Sequence, residues 1–196
     1  MPIKEISKIQ QTKRSMAIKR LDIVSYSPRS SDIFFFDNNV WIYLFCPLGN
    51  FNKNRQRQYS SFLQSVQSSR GTIFINSLVL SEFTNRYLRL DFERWKSTTG
   101  KITAEFKKDF VGTQRYKDTV EAIKVSINGI MKCCNKSSDN FNAIELNEVL
   151  KHFSEVDFND SYYIELAKLF KWKIVTDDSD FNSSHADCIE IVTMLN

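Results

Sequence analysis

The chain has 196 residues, of which 42% are hydrophobic and 26% charged, the balance of a folded globular protein rather than a disordered one. This length suits one domain, or one domain with an appendage, and allows a sizeable core. No apolar stretch approaches the roughly 20 residues that span a bilayer, and no secretory-type segment opens the chain, so we expect no membrane anchor. The four cysteines lack the paired spacing of zinc sites, and a reduced, cytoplasmic protein is the simplest expectation.

Positive charge is concentrated near the N-terminus. Residues 1–31 carry seven basic and two acidic side chains, a net charge of +5, so residues 32–196 carry −1 of the overall +4. We therefore predict a basic arm over residues 1–31 in front of a domain over residues 32–196. Such an arm suits attraction to a polyanion. The alternative is a solvated or disordered leader. The apolar residues of this segment also allow part of it to pack on the domain.

Short apolar runs alternate with amphipathic segments over residues 33–95. A run of four apolar residues suits a strand buried on both faces, whereas apolar positions spaced three and four apart mark one face of a helix. On this basis we predict strands at 33–36 and 72–75, and helices at 40–45, 52–70 and from 77 to about 95. The predicted N-caps are Asn38 or Asn39 for the first helix and Ser77 for the third.

Residues 97–141 interrupt this alternation and are predicted to form a helical insertion. A break at 97–100 precedes a short predicted helix at 102–111 and a longer one at 114–131, and a polar loop follows at 135–142. The apolar positions of the longer helix recur at helical spacing. These apolar residues either pack against the chain's own core or form an interface with a second copy of the chain.

The last third of the chain returns to alternating helices and strands. We predict helices at 143–153 and 160–170, the second capped by Asp160, and strands at 173–176 and 187–195. Strands that alternate with helices indicate a parallel sheet covered on both faces. The predicted fold class is therefore α/β, a three-layer α/β/α sandwich with a central, mostly parallel sheet.

Four acidic residues occur where a predicted strand ends or a predicted helix begins: Asp37, Glu82, Asp160 and Asp178. In a parallel sheet these ends share one edge, so the four carboxylates are expected to converge. Two carboxylates about 4 Å apart repel by roughly 4 kcal/mol at an effective dielectric constant near 20. Either protons or a cation must relieve that repulsion. Because the set contains only oxygen ligands and no histidine, it indicates Mg²⁺ or Mn²⁺ rather than zinc. His152 and His185 are isolated in the sequence, and we expect no catalytic role for either.

Each acid also has a structural explanation when it is taken alone. Asp37 can accept hydrogen bonds in a strand-to-helix turn, and Glu82 can pair with Arg86 one helical turn on. Asp160 suits a helix N-cap, and Asp178 suits a polar turn. The shared position of all four at one edge is what favours a cation site over four separate structural roles.

Over roughly residues 33–195 the chain resembles PIN-domain nucleases. The motifs that carry the resemblance are the Asp-x-Asn at 37–39 and the Thr-x-Asp-x-Asp-Phe at 176–181, with positional matches at Glu82 and Asp160. The resemblance implies a PIN-like sandwich in which Asp37, Glu82, Asp160 and Asp178 are the catalytic metal ligands. It also implies that Asn39 and Thr176 orient these carboxylates and that Asp180 is an auxiliary acid.

The resemblance further implies a Mg²⁺- or Mn²⁺-dependent ribonuclease that cuts single-stranded RNA. Compact members of the family are often toxins of toxin–antitoxin pairs, so an inhibitory antitoxin-type protein is an expected partner. Arg86 and Arg89 share the helix face of Glu82 and either contact phosphates or pair with Glu82 and Glu93. A second basic cluster at Lys53, Arg55 and Arg57 is expected to be a solvated helix start.

Two alternatives to a ribonuclease stay open. One is a non-catalytic PIN-like module that binds RNA or a partner protein. The other is a metal-dependent DNA nuclease or phosphatase with similar placement of the acids.

Overall fold

The structure is a computed structural model that describes residues 19–153, 155–182 and 189–194. The predicted arm up to residue 18, His185 and the first part of the predicted strand 187–195 lie outside the described residues. Six described strands form one sheet in the order β1-β6-β5-β2-β3-β4, and every pairing is parallel. They are β1 Lys19–Asp22, β2 Ile33–Phe36, β3 Thr72–Ile75, β4 Asn135–Lys136, β5 Lys173–Val175 and β6 Glu190–Thr193.

Helices cover both faces of the sheet, which confirms the predicted three-layer α/β/α sandwich. The connections from β2 to β3 and from β3 to β4 lead towards one edge of the sheet, whereas the connection from β5 to β6 leads towards the other edge. Because such connections are right-handed, the helices in the two groups lie on opposite faces of the sheet. The α-helices are α1 Asn38–Phe45, α2 Lys53–Ser69, α3 Ser77–Thr99, α4 Gln114–Met131, α5 Leu146–His152 and α6 Phe158–Phe170. None of the helices in the described part of the chain is long and apolar enough to cross a bilayer.

The centre of the sheet is strand β2, and it is buried on both faces. Phe34, Phe35 and Phe36 have no exposed surface. The ring of Phe35 stacks on Trp172 at 5.5 Å between centroids and meets Tyr163 at 5.0 Å. Close packing of this kind fixes the position of whatever follows β2 in the chain.

The chain reverses its direction across the sheet between β2 and β5. The connection that leaves β2 leads to β3, whereas the one that leaves β5 leads to β6 on the other side. In open parallel sheets, a crevice forms at the carboxyl ends of the strands at this switch point. Phe36 pairs with Val175 at those ends, and the amide of Asp37 donates to the Val175 carbonyl at 3.0 Å. Asp37 and Thr176 therefore leave the sheet side by side.

Two of the six strands have no apolar run in the sequence. Strand β1 lies within the predicted arm and pairs with β6, so this part of the arm packs on the domain. The boundary between arm and domain at residue 31 stays a prediction. The predicted loop at 135–142 is wrong at its start, because Asn135 and Lys136 form β4 beside β3. An exposed, polar edge strand of two residues carries no hydrophobic pattern that could have revealed it.

Several predicted helix ends are also wrong. Within the region predicted as a helix at 102–111, Phe106–Phe110 forms a π-helical turn, and the helix predicted at 143–153 is α5, which begins at Leu146. The N-caps are Asp37 for α1, Asn76 for α3 and Asp157 for α6. Each true cap lies one to three residues before the predicted one, because adjacent Asp and Asn residues are equally suited to capping.

Helix α4 packs against α1 and α3, and its apolar face lies in the core. Ile123 is 4% exposed and Ile130 has no exposed surface. This arrangement matches the burial alternative for the predicted insertion helix.

Candidate metal centre

Asp37 lies between β2 and α1 as the N-cap of α1, and the residue is 5% exposed. One carboxylate oxygen, Oδ1, accepts from the Asn38 amide at 2.6 Å, and the other accepts from the Thr176 hydroxyl at 2.8 Å. Burial raises the pKa of Asp37 to about 7, although both hydrogen bonds favour the charged form. The negative charges of Glu82 and Asp178 raise this pKa further. The ionisation of Asp37 is therefore coupled electrostatically to Glu82 and Asp178.

The hydroxyl of Thr176 connects three parts of the site. It donates to Asp37 and accepts from the Asn39 side-chain amide at 3.1 Å and from the Asp178 backbone amide at 3.0 Å. Asn39 in turn accepts from the Asp177 backbone amide through its Oδ1, at 3.3 Å. The start of α1 and the loop after β5 are thereby held together, with Asp37 between them.

Asp160 lies in the first turn of α6 and does not cap the helix, so the capping role predicted for it is wrong. Asp157 caps α6 and accepts from the Asp160 backbone amide at 2.9 Å. The Asp160 carboxylate therefore does not serve as the cap of α6. Burial raises its pKa to about 9, and the charges of Asp37, Asp157, Asp178 and Glu82 add to this effect.

Glu82 lies on α3, and its carboxylate accepts a hydrogen bond from the hydroxyl of Tyr163. Burial raises the pKa of Tyr163, and the charge of Glu82 raises it further. Tyr163 is not among the site residues predicted from the sequence. Its spacing three residues after Asp160 puts both on one helix face, and that signal could have identified it.

Asp178 and Asp180 form the exposed side of the site. Each of Asp160, Asp178 and Asp180 offers a carboxylate oxygen, and these oxygens lie within 4.8 Å of one another. The Asp180 backbone amide also donates to Asp178 at 2.9 Å. Of the four predicted acids, Asp160 and Asp178 belong to this group together with Asp180. Asp37 and Glu82 are outside it, although their negative charges act on Asp160. An oxygen-only set of this kind fits a hard divalent cation, which would offset the charge repulsion.

A PIN domain family model matches residues 34–184, about three quarters of the chain. The chain belongs to the PIN domain family. Members of this family are generally nucleases and usually use a divalent metal. Among curated proteins, no sequence matches the chain.

Two solved structures resemble this PIN domain. VapBC2 from Rickettsia felis, bound to a DNA fragment from its promoter, has 14% identity and a TM-score of 0.51, covering 82% of this chain and 98% of that one. PAE2754 from Pyrobaculum aerophilum has 14% identity and a TM-score of 0.42, covering 87% of this chain and 90% of that one. At such low identity, the likeness to VapBC2 supports the fold alone.

Asp177 connects the acid-bearing loop of the PIN domain to α1 and α2. Its carboxylate accepts from the Tyr43 hydroxyl at 2.9 Å, lies 3.1 Å from the Tyr59 hydroxyl and forms an ion pair with Arg55. The Tyr59 hydroxyl also donates to the Thr176 carbonyl at 2.8 Å. The prediction of a solvated helix start is therefore wrong for Arg55. Sequence alone cannot pair Arg55 with Asp177, because 122 residues separate them.

Arg86 and Arg89 follow Glu82 along α3, and both are exposed. The guanidinium of Arg89 lies 4.1 Å above the centre of the Phe106 ring. Glu93, the residue proposed as an alternative partner for Arg89, pairs with Lys96 at 2.8 Å. Within the residues that the structure describes, Arg89 therefore packs on an aromatic ring of the predicted insertion rather than pairing with a carboxylate.

Proposed function

We propose that this PIN domain is a Mg²⁺- or Mn²⁺-dependent endoribonuclease that hydrolyses phosphodiester bonds of single-stranded RNA. The observation that carries the proposal is the crowding of carboxylates at the switch point of the sheet. Burial and neighbouring charges raise the pKa values of Asp37 and Asp160, to about 7 and about 9. The donors of this acid set are carboxylate oxygens, which favours Mg²⁺ or Mn²⁺ over zinc.

The proposed cation ligands are Asp37, Glu82, Asp160 and Asp178. A bound divalent ion in such a site lowers the pKa of water and neutralises charge on the scissile phosphate. Thr176 and Asn39 position Asp37 through their hydrogen bonds, and Tyr163 positions Glu82. Asp180 is exposed beside Asp160 and Asp178, so its carboxylate can accept a proton from water that enters the site.

Two protein partners belong to the same proposal. An inhibitory antitoxin-type protein is the first, because compact PIN domains are often toxins of toxin–antitoxin pairs. A second copy of the chain is the other, although the buried apolar residues of α4 are already used within the domain.

A cleavage assay tests the proposal. Mixed single-stranded RNA and single-stranded DNA are incubated with the wild type and Mg²⁺ or Mn²⁺, with and without EDTA. The Asp37→Asn variant removes a ligand charge at nearly constant volume. Asp157→Asn is the matched control, since it makes the same chemical change at a residue whose capping role asparagine can retain.

We expect the wild type to cut RNA, EDTA to abolish cleavage, and Asp37→Asn to lower the rate at least about 100-fold. Asp157→Asn should cut RNA at nearly the wild-type rate. Cleavage that persists in EDTA or in Asp37→Asn would overturn the proposed mechanism. Cleavage of DNA alone would reassign the substrate, and RNA binding without cleavage would identify a non-catalytic module.

A further inference from the structure

We propose that one face of α3, together with the π-helical turn Phe106–Phe110, docks the phosphate backbone of single-stranded RNA beyond the bond that is cut. This docking surface, the phosphate track, consists of Arg86, Arg89, Lys107 and Lys108. The inference rests on the proposed function, because the track begins beside Glu82. It adds a substrate contact contributed by the predicted insertion at 97–141.

The track continues the helix face that carries Glu82. Arg86 and Arg89 follow Glu82 at four and seven residues, which places the three side chains on one side of α3. At a rise of 1.5 Å per residue, Arg89 lies about 10 Å along the helix axis from Glu82. Because both arginines are exposed, an RNA strand cut near Glu82 would meet them in succession.

The π-helical turn holds the guanidinium of Arg89 in place. That guanidinium lies 4.1 Å above the Phe106 ring, and Phe106 packs against Phe92 and Phe110 at centroid distances of 5.3 and 5.7 Å. A cation stacked on a ring keeps its charge and can present its N–H donors to a phosphate. Among the described contacts, Arg89 has this ring as its partner rather than a carboxylate. The side chain is therefore ordered before RNA arrives.

The charge of this region is complementary to a polyanion. Residues 86–117 carry nine basic and four acidic side chains, a net +5, so the rest of residues 32–196 carries −6. Asp91, one of those acids, is fully buried and pairs with Arg115, one of the nine basic residues, so this pair adds no net charge to the surface. Lys107 and Lys108 are exposed on the turn that contains Phe106. An RNA strand repelled by an acidic centre gains affinity from positive charge close by.

Salt-dependent RNA binding tests the track. Binding of a labelled single-stranded RNA is measured over a range of salt concentrations in the Asp37→Asn background, so that cleavage does not interfere. The test variants are Arg89→Gln and the double variant Lys107→Gln/Lys108→Gln. Arg94→Gln is the matched control, because Arg94 is an exposed arginine of the same helix, about 120° around its axis from Glu82.

Each lost phosphate contact should lower the magnitude of the slope of log K against log salt by about 0.7. We expect Arg89→Gln to weaken binding severalfold with a slope change of about that size, the double variant to show up to twice the change, and Arg94→Gln to show none. Equal affinities and slopes in all variants would overturn the track, as would an equal loss in Arg94→Gln.

Two readouts separate failure of the track from failure of the proposed function. Cleavage that is lost in Asp37→Asn, combined with unchanged RNA binding by the track variants, refutes the track alone. Charge-dependent binding by a wild type that never cleaves RNA supports the track and refutes the ribonuclease. The rise in Tm on adding Mg²⁺ should be equal in the wild type and in the same track substitutions made without Asp37→Asn, since these substitutions leave every proposed ligand in place. A smaller rise in the track variants would mean that they disturb the metal centre, and the track would fail.

Discussion

The hydroxyl of Tyr163 donates a hydrogen bond to the carboxylate of Glu82, and this contact joins α6 to α3 beside the acid cluster. Tyr163 is fully buried, and its ring lies 5.0 Å from that of Phe35 in the centre of the sheet. Because Phe35 cannot move without disturbing the core, the phenol holds Glu82 in a fixed position. The core thus supports a side chain that sequence reasoning placed in the site without any partner to orient it.

Replacing Tyr163 with phenylalanine should weaken metal binding. The Tyr163→Phe change keeps the ring in the core and removes only the hydroxyl that orients Glu82. Loss of a residue that orients a ligand commonly costs 10- to 100-fold in metal affinity or activity, and we expect about 10-fold. Mg²⁺ titration followed by Tm measures the effect. Tyr162→Phe is the control, because that hydroxyl donates to the Asp139 carbonyl instead, at 2.7 Å. An equal loss in both variants would contradict a specific role for Tyr163.

The Thr176 hydroxyl should be essential to the site because it makes three hydrogen bonds at once. Thr176→Val keeps the shape of the side chain but leaves Asp37, Asn39 and the Asp178 amide each without one partner. We expect a loss of about 1–3 kcal/mol in the free energy of unfolding and a matching loss of metal affinity. Denaturant unfolding measures the first. Thr176→Ser retains the hydroxyl and should restore most of both, and failure of serine to do so would assign the effect to packing.

The ion pair between Arg55 and Asp177 should contribute to stability. The Asp177 side chain is 5% exposed and that of Arg55 is 38% exposed, so solvent screens the pair only in part. Arg55→Gln leaves a buried carboxylate that still accepts a hydrogen bond from the Tyr43 hydroxyl, whereas the Tyr59 hydroxyl donates to the Thr176 carbonyl. We expect a loss of about 1–2 kcal/mol in the free energy of unfolding. Arg57→Gln is the control two residues away, on an exposed side chain, and should change stability by less than about 0.5 kcal/mol. Equal effects would show that the pair contributes nothing specific.

The central strands and the acid positions were predictable because each leaves a direct trace in the sequence. The apolar run before Asp37 is short, which favours a buried strand over a helix, and a parallel sheet brings the residues after such strands to one edge. Caps were less predictable, since the pairs Asp37/Asn38 and Asp157/Asp160 offer capping side chains of equal quality. The choice between them depends on tertiary contacts, such as the Thr176 hydroxyl on Asp37.

The residues that support the site were not predictable from periodicity. Tyr163 and Tyr59 occupy apolar helix faces like any core residue, and only the folded chain shows that their hydroxyls reach Glu82 and Asp177. The same applies to Arg55, whose partner lies more than 100 residues away in the chain. Hydrophobic spacing reports which face is buried, but it carries no information about which polar atoms meet across elements.

The raised pKa of Asp160 makes the metal-free protein less stable as the pH rises. In the folded chain this pKa is about 9, compared with 3.8 as the ordinary value expected in the unfolded chain. Between these pH values the folded state binds more protons than the unfolded state, so the free energy of unfolding falls with rising pH. The stabilising contribution is complete below about pH 4 and is lost as the pH rises towards 9. Asp37 acts in the same direction over a narrower range, from about 4 to about 7.

Asp160→Asn should therefore stabilise the metal-free protein at alkaline pH while it abolishes metal binding. In EDTA at pH 8, we expect its Tm to exceed that of the wild type by about 3 °C or more, which corresponds to about 1 kcal/mol for a chain of this size. The difference should vanish near pH 4, where both side chains are neutral, and millimolar Mg²⁺ should raise the Tm of the wild type but not that of Asp160→Asn. Asp157→Asn serves as the control, since it keeps the α6 cap and should follow the wild type in Mg²⁺. The Tm difference between Asp160→Asn and the wild type could instead be constant from pH 4 to pH 9. That result would show that ionisation of Asp160 does not destabilise the fold, and it would remove the electrostatic argument for a cation at this edge of the sheet.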